Sequence, residues 1–109
     1  MTSLSINQLY PNPMKDISFT IYYRGGCQHS MNAINTVKRL VNEKGIPWKF
    51  NAYKINTSNQ NHIDRFYEIN KEFGNGQDTH LYPLIFCYGK YVGGNSDLMR
   101  ILAKKNERA

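Results

Sequence analysis

The chain has 109 residues, of which 40% are hydrophobic and 20% are charged, and it contains eight Tyr and five Phe. This composition excludes a disordered chain, and the length fits a single domain. No stretch is apolar and long enough to cross a membrane, and the opening sequence MTSLSINQLYPNPMKD lacks the features of a secretory signal or a transit peptide, so we expect a cytoplasmic protein.

The formal net charge of +6 would suit a nucleic-acid-binding protein. The basic residues are nevertheless spread along the chain, and the two local groups, Lys38-Arg39 and Lys104-Lys105, fit solvated helix faces. We therefore do not expect nucleic acid as a partner. The basic balance favours small anionic ligands and acidic partner surfaces instead.

The first part of the chain predicts an extension, a strand and a helix. Residues 1–15 contain two prolines and are expected to form an N-terminal extension. The segment 17–23, ISFTIYY, is rich in β-branched and aromatic residues and predicts a strand. Gly25-Gly26 then breaks the strand, and a helix is expected to follow and to stop at Gly45 and Pro47. Its apolar residues recur at helical spacing: Met31, Ile34, Val37 and Val41.

The second part predicts the remaining elements. Residues 48–55, WKFNAYKI, alternate between apolar and polar types as a half-buried strand does. A second helix is expected over about 60–73, ending at Gly74. The runs PLIFCY and KYVGG predict two short strands joined by a hairpin at Gly89-Lys90. A third helix is expected over 96–107.

The predicted order of elements is β-α-β-α-β-β-α. A right-handed crossover makes the first two strands parallel, whereas the last two form an antiparallel hairpin. We therefore expect an α/β fold in which helices cover both faces of a mixed four-stranded sheet.

Cys27 lies between the first strand and the first helix. Free backbone N–H groups and the helix dipole stabilise an anion at this place and lower the pKa of a thiol. Arg24 adds a positive charge nearby. A buried structural thiol is the alternative, but the surrounding residues favour a reactive nucleophile. With Cys87 as the one other cysteine, a disulfide framework is not expected, which fits a reducing compartment.

Three motifs on successive elements resemble a known family. They are Arg24 with Cys27-Gln28-His29-Ser30, then Leu81-Tyr82-Pro83, and then Gly93-Gly94-Asn95-Ser96-Asp97-Leu98. This pattern resembles the glutaredoxin family of the thioredoxin-like superfamily. Its members carry a basic residue three positions before a Cys-x-x-Cys or Cys-x-x-Ser motif, a Thr-Val-Pro segment with a cis proline, and a Gly-Gly-x-x-Asp segment. The resemblance implies a thioredoxin-like fold for a single domain, 1–109, that includes the 1–15 extension.

The resemblance also implies a glutathione site. Arg24 would pair with the glycine carboxylate, Tyr82 would offer its backbone to the cysteinyl part, and Pro83 should be cis. The γ-glutamyl group would bind at the start of the last helix, although Asp97 and Ser96 could serve only as helix caps. The residues implied there are Gly94, Asn95, Ser96 and Asp97. His80 is a further candidate for the glycine carboxylate, with an exposed loop histidine as the alternative.

Two residues of the motif around Cys27, His29 and Ser30, differ from the dithiol Cys-x-x-Cys pattern. His29 occupies an aromatic position of the motif; contact with the substrate and metal binding with Cys27 are the alternatives, but we expect an exposed residue of the first helical turn. Ser30 stands where a dithiol member has its second cysteine. Cys87 follows Pro83 by four strand residues, which places it about 13 Å from the site that the proline lines. A disulfide needs Cα atoms within about 7 Å. We therefore expect Cys87 to be a core residue of the sheet and not to form a disulfide with Cys27.

The sequence therefore predicts a monothiol, glutathione-dependent thiol–disulfide oxidoreductase. Cys27 would reduce protein–glutathione mixed disulfides through a glutathionylated intermediate, with support from Arg24 and Ser30. Its partners would be glutathione, as co-substrate, and glutathionylated or disulfide-containing proteins, and we expect a monomer with no metal.

Two alternatives remain open at this stage. One is a dimer in which Cys27 and glutathione hold a [2Fe-2S] cluster, as the Cys-Gly-Phe-Ser members of the family do. The sequence Cys-Gln-His-Ser and the lack of a later Trp-Pro pair argue against it. The other alternative is a redox-silent adaptor that keeps the fold without the activity.

Overall fold

A computed structural model describes residues 6–43, 49–76 and 82–100. The strands are β1 (Phe19–Arg24), β2 (Phe50–Ile55), β3 (Leu84–Cys87) and β4 (Lys90–Gly93), and the helices are α1 (Ile6–Leu9), α2 (Gln28–Glu43) and α3 (Gln60–Phe73). Residues 95–100 are also helical and are called α4. None of the helices in these three ranges is long and apolar enough to cross a bilayer.

The four strands form one mixed sheet in the order β2-β1-β3-β4. β1 and β2 are parallel, with α2 as their crossover, whereas β3 runs antiparallel to both β1 and β4. This confirms the predicted thioredoxin-like α/β fold with its mixed four-stranded sheet. β1 is a central strand, and at its C-terminal end Arg24 pairs with Ile55 of β2, beyond the last pair with β3, Tyr22–Leu84.

Two hydrophobic clusters cover the two faces of the sheet. Successive strand residues point to opposite faces, so neighbours such as Ile85 and Phe86 belong to different clusters. The first cluster brings α3 onto the sheet and contains Tyr10, Tyr22, Ile55, Phe66, Ile69, Leu84 and Phe86. The second brings α2 and α4 onto the other face and contains Phe19, Ile21, Ala33, Ile34, Val37, Ile85 and Leu98.

Most of the predicted elements lie where the sequence placed them, with small differences at their ends. The bounds of α3 agree with the prediction, while β1 starts two residues later than expected. The hairpin turn is Tyr88-Gly89 rather than Gly89-Lys90, because both turn residues have positive φ (51° and 79°), as a two-residue hairpin loop requires. The stop at Gly45 and Pro47 and the end of the predicted last helix lie outside the described residues.

The N-terminal segment packs against the domain. Tyr10 is buried; its hydroxyl donates to the backbone carbonyl of Lys54 at 2.7 Å and accepts from the N–H of Asn56 at 3.2 Å. Arg65 of α3, itself 8% exposed, donates to the backbone carbonyl of Tyr10 at 3.0 Å and to Oδ1 of Asn12 at 2.6 Å. The segment before β1 therefore supplies a side chain to the core.

Candidate active site

A short turn at the end of β1 places Cys27 at the first position before α2. The backbone N–H of Cys27 donates to the carbonyl of Arg24 at 3.4 Å, and the carbonyl of Cys27 accepts from the N–H of Met31 at 3.0 Å. Gly26 has a φ of +77°, which glycine adopts without the steric cost that a side chain brings. Cys27 is thus the N-cap residue of α2, and its thiol is partly exposed.

The position of Cys27 stabilises its thiolate. Burial raises the pKa of the Cys27 thiol, but the backbone N–H and the hydroxyl of Ser30, the backbone N–H of His29 and the charge of Arg24 together hold that pKa below its ordinary value. The two N–H groups belong to the first turn of α2, where they have no partner within the helix. The structure therefore gives the sequence-predicted nucleophile an environment that activates a thiol.

Ser30 lies one helical turn after Cys27 and is fully buried. Its hydroxyl has no hydrogen-bond partner of good geometry among the described residues. A hydroxyl that is held near a thiol without another acceptor gains a charge-assisted interaction when the thiol ionises. Ser30 therefore acts on Cys27 through its hydroxyl as well as through its backbone.

Cys87 is remote from Cys27. It ends β3 opposite Phe19, at the start of β1, whereas Cys27 follows the end of β1 at Arg24. The five residue steps from Phe19 to Arg24 span about 16 Å of strand, far beyond the Cα separation of about 7 Å that a disulfide allows. Cys87 is half-buried and packs against the cluster beneath α2.

The second sequence motif forms the wall beside the nucleophile. The Tyr82-Pro83 peptide bond is cis, as expected, and Pro83 is buried. The ring of Tyr82 stacks on that of Phe66, with centroids 4.4 Å apart and planes inclined by 21°. The guanidinium of Arg24 lies 5.8 Å from the centroid of the Tyr82 ring. Burial, and after it the nearby Tyr67 phenol, raises the pKa of Tyr82, so its hydroxyl is protonated at neutral pH.

The third motif starts α4 and holds Asp97 in place. The backbone N–H of Gly94 donates to Oδ2 of Asp97 at 3.0 Å, and the carbonyl of Gly94 accepts from the N–H of Leu98 at 3.1 Å. Oδ1 of Asp97 also lies 3.7 Å from Nη1 of Arg100. Asp97 therefore caps α4, one of the two roles that the sequence left open, and this contact fixes its carboxylate at the mouth of the cleft described next.

These motifs line one cleft of about 250 Å³. It contains Tyr82, Pro83 and all four predicted residues from Gly94 to Asp97, together with His29, Asn75, Leu84 and Tyr91. Ser96 is exposed, whereas Oδ1 of Asn95 is buried without a hydrogen-bond partner among the described residues. Apolar rings and several polar groups therefore face the same space, which suits a short peptide with charged ends.

Four lining residues were not among the predicted glutathione-binding residues: His29, Asn75, Leu84 and Tyr91. His29 is exposed, as expected for the first turn of α2, but it also reaches the cleft. Tyr91 faces the cleft from β4, and burial, followed by the charge of Asp97, raises its pKa. The alternation of Tyr91 with Val92 along β4 is the signal that could have placed its ring on this side. Asn75 gave no signal, and His80 lies outside the described residues.

Three sequence-predicted residues lie outside the lining of this cleft: Arg24, Cys27 and the buried Ser30. Arg24 reaches it only through the ring of Tyr82, and Cys27 stands beside it at the start of α2. No group of three or more His, Cys, Asp or Glu side chains is close enough to hold a metal ion in the part of the chain that the structure describes.

Comparison with known proteins gives one sequence relative and a consistent set of structures. No protein-family model matches the chain. A curated relative, a probable glutaredoxin of Acanthamoeba polyphaga mimivirus, is 28% identical over 89 residues, which cover 78% of this chain and 77% of the relative. Reduced Escherichia coli glutaredoxin superposes with a TM-score of 0.60 at 20% identity, covering 84% of this chain and 98% of that one. A buckwheat glutaredoxin–glutathione complex superposes with a TM-score of 0.55 at 18% identity, covering 92% of this chain and 76% of that one.

The structural neighbours support the fold, and the sequence relative supports the family. The same three motifs that resemble glutaredoxins in the sequence meet around Cys27 and one cleft in the structure. The chain therefore has the thioredoxin-like fold of the glutaredoxin structures, and it is similar in sequence to a probable glutaredoxin.

Proposed function

We propose that the protein is a monothiol, glutathione-dependent oxidoreductase that reduces protein–glutathione mixed disulfides. The observation that carries this proposal is a single activated thiol beside a peptide-sized cleft. Cys27 has a lowered pKa at the start of α2, and the other cysteine of the chain, Cys87, lies at the far end of the sheet. The chemistry must therefore proceed with one protein thiol.

Glutathione is the co-substrate whose chemistry matches the cleft. Its cysteinyl part would pair with the backbone of Tyr82 beside Pro83, in the manner of a short added strand. The γ-glutamyl carboxylate would accept backbone N–H groups at the start of α4, and the fixed carboxylate of Asp97 would receive the ammonium group. Arg24 would attract the glycine carboxylate. The buckwheat glutaredoxin was solved as a complex with glutathione.

The reaction has two exchange steps. In the first, the Cys27 thiolate attacks the glutathione sulfur of the mixed disulfide, the protein–sulfur bond breaks, and the protein thiolate leaves and takes a proton from solvent. In the second, the thiolate of a second glutathione attacks the Cys27–glutathione disulfide. Oxidised glutathione leaves, and the Cys27 thiolate is restored. In the net reaction, one glutathione thiol is oxidised to the disulfide level and one protein thiol is released for each mixed disulfide that is reduced.

Ser30 determines how the intermediate is resolved. Because this position carries a hydroxyl, glutathionylated Cys27 cannot pass into an internal disulfide and waits for the second glutathione. The fully buried hydroxyl stabilises the Cys27 thiolate each time it is released, which makes Cys27 a better leaving group in the second step.

Turnover of a glutathionylated protein with glutathione and glutathione reductase tests the proposal. We expect Cys27→Ser to lose the catalysed rate and Cys87→Ser to retain it, which makes the two cysteines matched controls. After one turnover without added glutathione, mass spectrometry should find glutathione on Cys27. Activity that depends on Cys87, or a protein that carries a visibly coloured cluster and has no turnover, would contradict the proposal.

A further inference from the structure

A second recess lies on the other side of the turn that leads to Cys27. It has a volume of about 450 Å³ and is lined by Arg24, Gly25, Gly26, Lys54, Ile55, Asn56 and Thr57. It shares no lining residue with the cleft beside Cys27, but its Arg24 is also the cation to which we assign the glycine carboxylate of glutathione, so Lys54 is the cation that remains for another ligand. The parallel pairing of β1 with β2 builds it, because that register places Lys54 opposite Tyr23 and Ile55 opposite Arg24.

The recess is electropositive. Arg24 and Lys54 are both exposed, and no acidic side chain belongs to its lining. Neither cation has an ion-pair partner within the described residues, whereas Arg65 and Arg100 each have one. Asn56 and Thr57 add polar side chains at the rim. Two unpaired cations around one concave space favour a carboxylate ligand.

Backbone features hold Lys54 close to the turn before Cys27. A Cβ atom at Gly25 would lie 2.5 Å from Cε and 3.0 Å from Nζ of Lys54, so the end of this side chain lies directly against the turn and would have to move if Gly25 carried a side chain. The hydroxyl of Tyr10 donates to the carbonyl of Lys54 and accepts from the N–H of Asn56, which fixes the backbone beneath the recess.

The location suggests what the recess receives. Because the N–H of Cys27 bonds to the carbonyl of Arg24, the recess adjoins the nucleophile. In a mixed disulfide, one sulfur carries glutathione and the other carries the polypeptide, so the polypeptide needs a surface outside the glutathione cleft. We propose that this recess binds an acidic side chain next to the glutathionylated cysteine of the substrate, and that Lys54 determines this preference. The inference rests on the proposed function.

The expected effect is moderate and depends on salt. Ion pairs between exposed groups are weak, and they act mainly on association rates. We therefore expect an acidic neighbour to raise kcat/KM about two- to fivefold over a neutral one. This advantage should shrink as ionic strength rises from about 0.01 M to 1 M, because screening shortens the reach of exposed charges.

The test compares three glutathionylated peptides that differ only in a Glu, Gln or Lys beside the cysteine. Wild type should prefer the Glu peptide, Lys54→Gln should treat Glu and Gln alike, and Lys54→Glu should prefer the Lys peptide. Lys38→Glu is the matched control, because it changes the net charge equally from an exposed position on α2, 11 residues and about 16 Å beyond Cys27 along the helix. It should keep the wild-type order of peptides.

A small glutathione mixed disulfide without a peptide separates this inference from the function itself. If wild type reduces it, and Lys54→Glu reduces it equally well but leaves the peptide order unchanged, the recess proposal is wrong and the function stands. An equal rise in the KM for glutathione on every substrate in Lys54→Glu would also overturn the proposal, because the recess would then serve glutathione. If wild type has no turnover, the proposed function is wrong. The recess can then be tested by NMR on Cys27→Ser. The signals of Asn56 and Thr57 should shift when the Glu peptide is added and should not shift with the Gln peptide; any other result overturns the recess proposal.

Discussion

The guanidinium of Arg24 lies over the ring of Tyr82, 5.8 Å from its centroid, and the same ring stacks on that of Phe66, with centroids 4.4 Å apart. A cation held on an aromatic ring is less free to leave the neighbourhood of Cys27 than an unrestrained surface arginine. The side chain of Tyr82 therefore has a role besides the backbone contact that the family resemblance implies: it positions the charge that acts on the thiol.

Replacing Tyr82 by Leu should weaken this arrangement. We expect the pKa of Cys27 to rise and kcat/KM to fall about two- to fivefold, since a cation–π contact at an exposed site contributes about 0.5–1 kcal/mol. Tyr82→Phe keeps the ring and should retain the activity and the pKa. The pH dependence of Cys27 alkylation and steady-state turnover measure both effects, and equal losses in the two variants would assign the effect to the hydroxyl.

The charge of Arg24 should be visible in the pH profile of Cys27. The thiolate is the reactive form, so the alkylation rate rises with pH and levels off above the thiol pKa. Because Arg24 lowers that pKa, Arg24→Gln should move the midpoint to higher pH and reduce the rate at neutral pH, while Arg24→Lys should move it less. A Cys87→Ser background removes the second thiol from the measurement. A midpoint that stays fixed or moves to lower pH in Arg24→Gln would show that the guanidinium does not stabilise the thiolate.

Ser30 can be tested by removing its hydroxyl or by replacing it with a thiol. Ser30→Ala should raise the pKa of Cys27 without a marked loss of stability, because the buried hydroxyl has no hydrogen-bond partner among the described residues. Ser30→Cys should convert glutathionylated Cys27 into an internal disulfide, which non-reducing mass spectrometry detects. A glutathione adduct that persists in Ser30→Cys as long as in wild type would mean that the buried side chain cannot reach Cys27.

Gly93 should be required for the shape of the cleft. It has a φ of +124°, and a Cβ atom there would run into the carboxylate of Asp97. We expect Gly93→Ala to lower the free energy of unfolding by about 1–3 kcal/mol and to raise the KM for glutathione. Gly76→Ala is the matched control, since Gly76 also has a positive φ (+78°), but its Cβ would meet nothing closer than 4.0 Å. Urea unfolding and turnover measurements compare the two variants. An unchanged KM for glutathione in Gly93→Ala would show that the position of the Asp97 carboxylate does not affect glutathione binding in the cleft.

The sequence was sufficient for the fold and for the order of the site motifs. Strand and helix periodicity placed α3 and both hairpin strands, and the crossover rule gave the parallel pairing of β1 with β2. These features depend on short-range patterns. The cis bond before Pro83 and the position of Cys27 before α2 also followed from local motifs.

What the sequence did not predict depends on long-range contacts of polar side chains. Arg65 of α3 is buried, although an arginine usually indicates an exposed helix face, because it finds acceptors in the distant residues Tyr10 and Asn12. The contact of Arg24 with Tyr82 joins residues 58 positions apart and has no signature in either motif. The pairing of Lys54 with the turn before Cys27 appears only after the two parallel strands are in register.

The buried guanidinium of Arg65 sets a limit on how far the chain can be shortened. A fragment that began at β1 would remove the backbone carbonyl of Tyr10 and the amide of Asn12, which would leave a charge inside the protein without two of its acceptors. Hydrogen bonds to a charged group contribute about 1.5–3 kcal/mol each, a large part of the stability of a small domain. The same cut would remove the phenol that bonds to the backbone of Lys54 and Asn56, so we expect a fragment that begins at β1 to lose the shape of the proposed recess as well as stability.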